Sequence, residues 1–304
     1  MTIGGSALVG RPAPGNTAAP ILVRGDHQLQ IGCDPEHSLL VDLPAHVAAR
    51  AVVELLDEPP DSRQLPARLA EIGLDRGEFD EIAARRRAVD AAADPPATTL
   101  RVCLHGAGPL RDGLESALDG TGHTIARSST RRARPWRSGP DRPTLVVLSD
   151  FALHDPLVVA DLMHHRVPHL PVVLRDGVGV VGPLVLPGRS SCLRCADHHR
   201  ATMDPQWPLV SAQLVNRAGT AGTAITRLTV GVVLEQIEQI AAGLAQLASV
   251  GDAGPAPDLV DRTIEIHPRP LRLRHKPWPA HPNCHCGSHW RMGSYPRPST
   301  ILAT

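Results

Sequence analysis

The chain has 304 residues and a mass of 32.4 kDa, with 42% hydrophobic residues, 2% aromatics and a formal net charge of zero. That length suffices for two domains, the scarcity of aromatics leaves their cores to Leu, Val and Ala, and no run approaches the roughly 20 apolar residues of a membrane helix. Neutrality conceals a division: residues 20–94 carry 15 acidic residues against eight arginines, a net of −7, while the chain from Thr98 onward carries 16 acids against 22 basic residues, a net of +6.

Residues 1–19 read as a disordered tail, and the stretch from Met1 to Gly15 has no basic region followed by an apolar run, so export is not expected and a cytoplasmic protein is. Three short strand-like runs follow, Ile21–Arg24, Gln28–Cys33 and Ser38–Asp42, separated by the turn signals Gly25-Asp26 and Asp34-Pro35. Apolar spacing then predicts helices over Pro44–Leu56, Gln64–Ile72 and Glu78–Ala92. Three strands and three helices, with Gly73 turning the chain before the last, make a winged-helix (α+β) plan over residues 20–94. Such modules bind DNA or capture peptides. A net charge of −7 opposes the phosphate neutralisation that DNA binding requires, despite Arg85-Arg86-Arg87 on the last helix, so no nucleic acid is expected. Peptide capture adds an extended chain to the sheet edge, against the last helix. Its candidate contacts are Leu39, Leu40 and Val41 on the third strand and Ile82, Arg85 and Arg86 on the helix. A purely structural accessory domain is the alternative.

Residues 95–98 read as a linker, and residues 99–292 as the second domain. Leu100–Leu104 is an apolar strand running into His105-Gly106-Ala107-Gly108-Pro109-Leu110, with a helix expected from Arg111 to Leu118. This is an incomplete dinucleotide turn: Gly106 and Gly108 stand where backbone approaches phosphate, but Arg111 holds the third glycine position and Pro109 removes an amide. A second strand, His123–Ala126, leads to Arg127 and an Arg-rich run to Arg137, which either holds an acidic peptide, a phosphate or the acidic N-terminal module, or is a disordered, solvated loop. Thr144–Leu148 is a buried strand ending at Ser149-Asp150, a carboxylate where parallel sheets place ligand groups. A helix over Pro156–His165, a strand over Leu170–Leu174, a hairpin within Val178–Val185, a largely helical Val210–Leu247 and a strand over Thr263–Arg274 complete the domain. The tail from residue 293 has no motif.

Four of the six cysteines form two close pairs, Cys192-Leu193-Arg194-Cys195 and Cys284-His285-Cys286. In a reducing compartment that pattern predicts a structural zinc held by Cys192, Cys195, Cys284 and Cys286, stapling the end of the chain to its middle, with free thiols or a catalytic zinc as the alternatives. Cys33 and Cys103 stand alone in apolar runs and are expected to be buried thiols. The adjacent pairs His164-His165 and His198-His199 are expected to be solvated or hydrogen-bonded, not metal ligands.

The glycine turn, Asp150, the run Gly179-x-x-Gly182-Pro183-Leu184-Val185-x-Pro187-Gly188, Cys192-Leu193-Arg194-Cys195, a long helix and a returning cysteine pair together resemble the ThiF/MoeB-like superfamily that activates ubiquitin-like proteins. Asp204-Pro205-Gln206-Trp207-Pro208 and His281-Pro282-Asn283-Cys284-His285-Cys286 narrow the resemblance to the ThiF-like proteins of azole-forming peptide clusters, the thiazole/oxazole-modified (TOMM) bacteriocins. The resemblance implies an α/β chain, a winged-helix module followed by a Rossmann-like domain with structural zinc. It also implies a precursor leader peptide and a YcaO-type cyclodehydratase as partners, and a homodimer.

Adenylating members of the superfamily bind ATP and magnesium through a lysine, a Ser-Asn-x-x-Arg-Gln segment, a ribose-binding acid after the second strand and an aspartate. Only Asp150 has a counterpart here; Lys276, the sole lysine, lies beside the second cysteine pair, and Arg127 stands where the ribose acid is expected. No cysteine lies between Cys195 and Cys284 to accept an activated carboxylate. A leader-binding scaffold whose ThiF-like domain performs no catalysis is therefore expected. The alternative is an ATP-dependent adenylyltransferase acting on a peptide C-terminus, with Gly106, Gly108 and Asp150 as its nucleotide site.

Overall fold

A computed structural model describes residues 19–93, 99–129, 136–137, 142–250 and 257–286, with residues 91–93 and 245–250 in backbone only. The expected tails and the 95–98 linker lie outside the described residues, Ala19 apart. Contacts divide the chain into two units, Met1–Pro96 and Ala97–Thr304.

In the first unit, β1 (Ile21–Gly25), β2 (Gln28–Ile31) and β3 (Leu39–Asp42) form an antiparallel sheet in that order. Alternation along β2 buries Leu29 and Ile31 completely, against Val52 and Leu55 of α1 (Ala49–Asp57), Leu69 of α2 (Leu65–Ile72) and Phe79 and Ile82 of α3 (Arg76–Ala93). Helix α1 begins at Ala49 instead of Pro44, because Val47 turns back to donate to the Pro44 carbonyl at 2.8 Å. Cys33 is exposed, not buried: β2 ends at Ile31, and Gly32, at φ 93°, turns the chain out before Cys33 is reached.

The second unit runs β4 (Arg101–His105), α4 (Pro109–Leu118), β5 (Thr124–Ser128), β6 (Leu145–Ser149), α5 (Pro156–His164), β7 (His169–Arg175), β8 (Val178–Val181), α6 (Leu193–Met203), α7 (Trp207–Leu214), α8 (Thr223–Val250), β9 (Arg262–Pro268) and β10 (Leu271–Pro277). These strands make one seven-stranded sheet in the order β10-β9-β8-β7-β6-β4-β5. The four strands β5, β4, β6 and β7 are parallel, and β8, β9 and β10 are antiparallel additions. Val102 and Leu104 join a core with Leu110 and Leu114 of α4 and Val233 and Ile237 of α8; Cys103, between them, faces a second core with Leu162 of α5. The chain leaves β4 toward β5 on one side and returns to β6 on the other. That reversal opens a crevice at the strand ends, where Rossmann-like sheets hold ligands.

Three elements differ from expectation. The hairpin pairs β7 with β8 across Asp176-Gly177, both at positive φ (51° and 84°), a turn geometry that Asp-Gly favours, so residues 183–185 form only isolated bridges. The helix expected over Val210–Leu247 is broken between Leu214 and Thr223, where the chain crosses the end of β6: Ala152 donates to the Arg217 carbonyl at 2.7 Å and Gly219 to the Asp150 carbonyl at 3.2 Å. The late strand is a hairpin, β9 and β10, folded at Arg269-Pro270. No helix among the described residues is long and apolar enough to cross a membrane.

Candidate functional site

The cysteine cluster is assembled from two distant knuckles. Cys192 sits at the N-terminus of α6 and Cys195 in its first turn, donating its amide to the Cys192 carbonyl at 3.0 Å; Cys284 lies in the loop after β10, its amide on the His281 carbonyl at 2.9 Å. Sulfur separations are 3.8 Å for Cys192–Cys195, 3.6 Å for Cys192–Cys284 and 3.6 Å for Cys195–Cys286, and all four atoms lie within 4.8 Å of one another. A tetrahedral zinc with bonds of about 2.3 Å sets sulfurs about 3.8 Å apart, so the four atoms fit a metal ion of that kind. Val185, Met163 and Leu193 jacket the cluster. The hydrogen bond with Cys192 draws the Cys195 thiol down, while burial pushes Cys284 up. A dication held at the centre of the four sulfurs would favour the thiolate form of its ligands.

At the crevice, Gly106 (φ 156°) and Gly108 (φ 149°) bring the β4–α4 turn against the end of β6. A Cβ at Gly106 would collide with the Ser149 carbonyl, and one at Gly108 would stand 2.6 Å from Asp150 Oδ1. Asp150, at φ 71°, turns its carboxylate back toward α4. Its Oδ1 accepts from the Leu110 amide at 2.9 Å, its Oδ2 from the Arg111 amide at 3.2 Å and from the Ser149 hydroxyl at 2.9 Å, and the residue is buried. A helix N-terminus is where a phosphate would sit in a dinucleotide fold. Here a resident carboxylate occupies it.

The other face of the crevice is filled. Trp136, fully buried, stacks edge-on against His105 at 5.6 Å, and His154 lies 5.7 Å beyond His105. Trp136 Nε1 donates to Asp161 Oδ2 at 2.8 Å, and Arg137 pairs with the same carboxylate at 2.8 Å. Arg127 pairs with Glu115. Arg127 and Arg137, the described arginines of the 127–137 run, are thus each ion-paired and more than half exposed; Arg131, Arg132 and Arg134 lie outside the described residues. Burial lowers His105 to about 4 and His154 to about 3, keeping both neutral. Spacing and periodicity do not single out Trp136; its one sequence signal is an indole inside an Arg-rich run of a chain with 2% aromatics.

In the first unit, Leu40, Val41, Ile82 and Arg85 line a cleft of about 340 Å³ between β3 and α3, with Glu78 and Glu81 on its rim. Val41 and Ile82 are buried and form its floor, Leu40 is 42% exposed, and Arg85 pairs with Glu81. Leu39 and Arg86 do not line it. Arg86 donates to the Leu56 carbonyl at 2.8 Å and reaches Asp57 at 3.5 Å, binding α3 to the end of α1.

A mixed sheet with its switch point after β4, a glycine turn and an aspartate after β6 make a Rossmann-like domain, to which the four-thiol cluster is added. No protein-family model matches the chain, and no curated protein does. Solved structures share the fold. A heterocyclase in complex with substrate and cofactor matches over 90% of this chain and 39% of its own, with a TM-score of 0.62 at 17% identity. The heterocyclase TruD matches over 90% and 42% (TM-score 0.54, 16% identity), and E. coli MccB with ATP over 88% and 97% (TM-score 0.54, 10% identity). The chain therefore spans about two-fifths of the length of the two heterocyclases.

Proposed function

We propose that this chain is a non-catalytic scaffold in the biosynthesis of a thiazole/oxazole-modified peptide, holding a precursor's leader and presenting it to a YcaO-type cyclodehydratase. The first unit acts as the winged-helix recognition element: the leader adds to the β3 edge and lays apolar side chains over Val41 and Ile82. Cys192, Cys195, Cys284 and Cys286 hold a structural zinc with no open position, which ties α6 to the end of the β9–β10 hairpin. The domain works in the cytoplasm, where thiols stay reduced.

One observation carries the non-catalytic part. The Asp150 carboxylate is seated on the Leu110 and Arg111 amides, so the helix end that would receive a phosphate is already satisfied by a negative charge. Kinship of fold with two heterocyclases supports the biosynthetic setting. Two titrations test the proposal. Magnesium–ATP titrated into the metal-loaded chain should give no heat, whereas micromolar binding abolished by Asp150→Ala would establish the adenylyltransferase instead. A fluorescent leader peptide from the precursor made alongside this chain should bind, and Leu40→Glu at the exposed rim should weaken it about tenfold or more. Unchanged affinity in Leu40→Glu would remove the cleft from the binding site.

A further inference from the structure

Strand β10 ends the seven-stranded sheet, and among the described residues its one strand neighbour is β9. Its pairing with β9 is regular through Leu271–Pro277, without a bulge, and no proline interrupts it before Pro277. Alternation gives it two different faces. Leu271 and Leu273 stand opposite Pro268 and Ile266, on the side where Ile264 and Ile266 enter the core under α8, yet they are 65% and 55% exposed. Arg272, Arg274 and Lys276 stand on the other side, opposite His267, Glu265 and Thr263. Glu265 is already engaged by Arg175 at 3.4 Å and His267 at 3.2 Å, and among the described residues Arg272 and Arg274 have no ion-pair partner.

We infer that β10 is a docking edge for a partner protein that extends the sheet by one strand, with acidic side chains over Arg272, Arg274 and Lys276 and apolar ones over Leu271 and Leu273. The outer backbone groups of β10, which pair with no strand among the described residues, supply the hydrogen bonds of strand addition, and the basic row selects the partner by charge. Basic residues on an edge deter pairing between copies, because two β10 strands would set arginine against arginine; they do not deter an acidic strand. More than half of each similar heterocyclase lies outside the shared fold, so this fold is found joined to further protein there. The site is in the second unit and does not depend on leader capture by the first.

The test uses the full metal-loaded chain and two short synthetic strands, one alternating glutamate with valine and one alternating lysine with valine. Hydrogen–deuterium exchange should slow in residues 271–276 with the glutamate strand alone, and the effect should vanish near 1 M salt, where charges are screened beyond about 3 Å. The double variant Arg272→Glu/Arg274→Glu should weaken the glutamate strand about tenfold or more and accept the lysine strand instead. Leu271→Ser/Leu273→Ser, which leaves the charges in place, should weaken it too. Equal protection by both strands, or none by either, overturns the proposal. So does a chain dimer that the double arginine substitution dissociates in sedimentation, which would make a second copy the occupant.

Discussion

Replacing Asp150 by alanine probes the crevice most directly. The substitution leaves the Leu110 and Arg111 amides without their acceptor at the start of α4, and it places a Cβ-bearing residue without a polar side chain at φ 71°. Each unpaired amide costs about 1–3 kcal/mol when buried, and the left-handed conformation adds about 1 kcal/mol for alanine. Water entering the vacated helix end recovers part of this, leaving a loss of about 3 kcal/mol. For a unit of this size that corresponds to about 6–12 °C in Tm. The substitution Asp150→Asn keeps an acceptor oxygen and tolerates the left-handed backbone, so it should lose about 1 kcal/mol. Scanning calorimetry of the three proteins reads the order wild type, Asp150→Asn, Asp150→Ala. A variant Asp150→Ala that melts within about 2 °C of wild type would refute a capping role, because the amides would then have no need of the carboxylate.

The cysteine cluster should bind one zinc per chain, measured by atomic emission, and Cys284→Ser should lose it and lower Tm by about 10 °C or more, since metal binding free energy is folding free energy at such a site. Burial holds His105 and His169 at about 4 and His154 at about 3, below the usual imidazole value near 6.5. The unfolded chain therefore binds protons that the folded chain refuses, so stability is full above about pH 6.5 and falls toward pH 4 by about 1.4 kcal/mol per pH unit for each histidine. Urea midpoints at saturating zinc from pH 7 to 5 should show this slope, and His154→Phe should flatten it by about a third; a flat profile in wild type would contradict the burial. At Gly219 an added Cβ meets the Leu174 carbonyl, backbone against backbone, so Gly219→Ala should displace the 215–222 crossing and raise protease cleavage there; cleavage as slow as in wild type would count against that packing.

Local chemistry was legible in the sequence because it is written in spacing. Two and one residues between paired cysteines mark a knuckle wherever the rest of the chain goes, and alternation or helical periodicity located most elements of both units. The charge division between residues 20–94 and the remainder, and the confinement of lysine to position 276, are likewise properties of the string. What the sequence could not place were contacts made across long separations. Asp150 lies 40 residues from the Leu110 amide, so the string shows the strand it ends but not the helix end its carboxylate meets. Arg86 shares the exposed character of Arg85 in the string, yet it crosses 30 residues back to the Leu56 carbonyl. Trp136 sits in an arginine run that looks solvated until the fold brings Asp161 and His105 to it. Periodicity and spacing follow from covalent geometry, which the sequence by itself determines; which carboxylate meets which amide follows from the sheet order β5-β4-β6-β7, which only the tertiary structure decides.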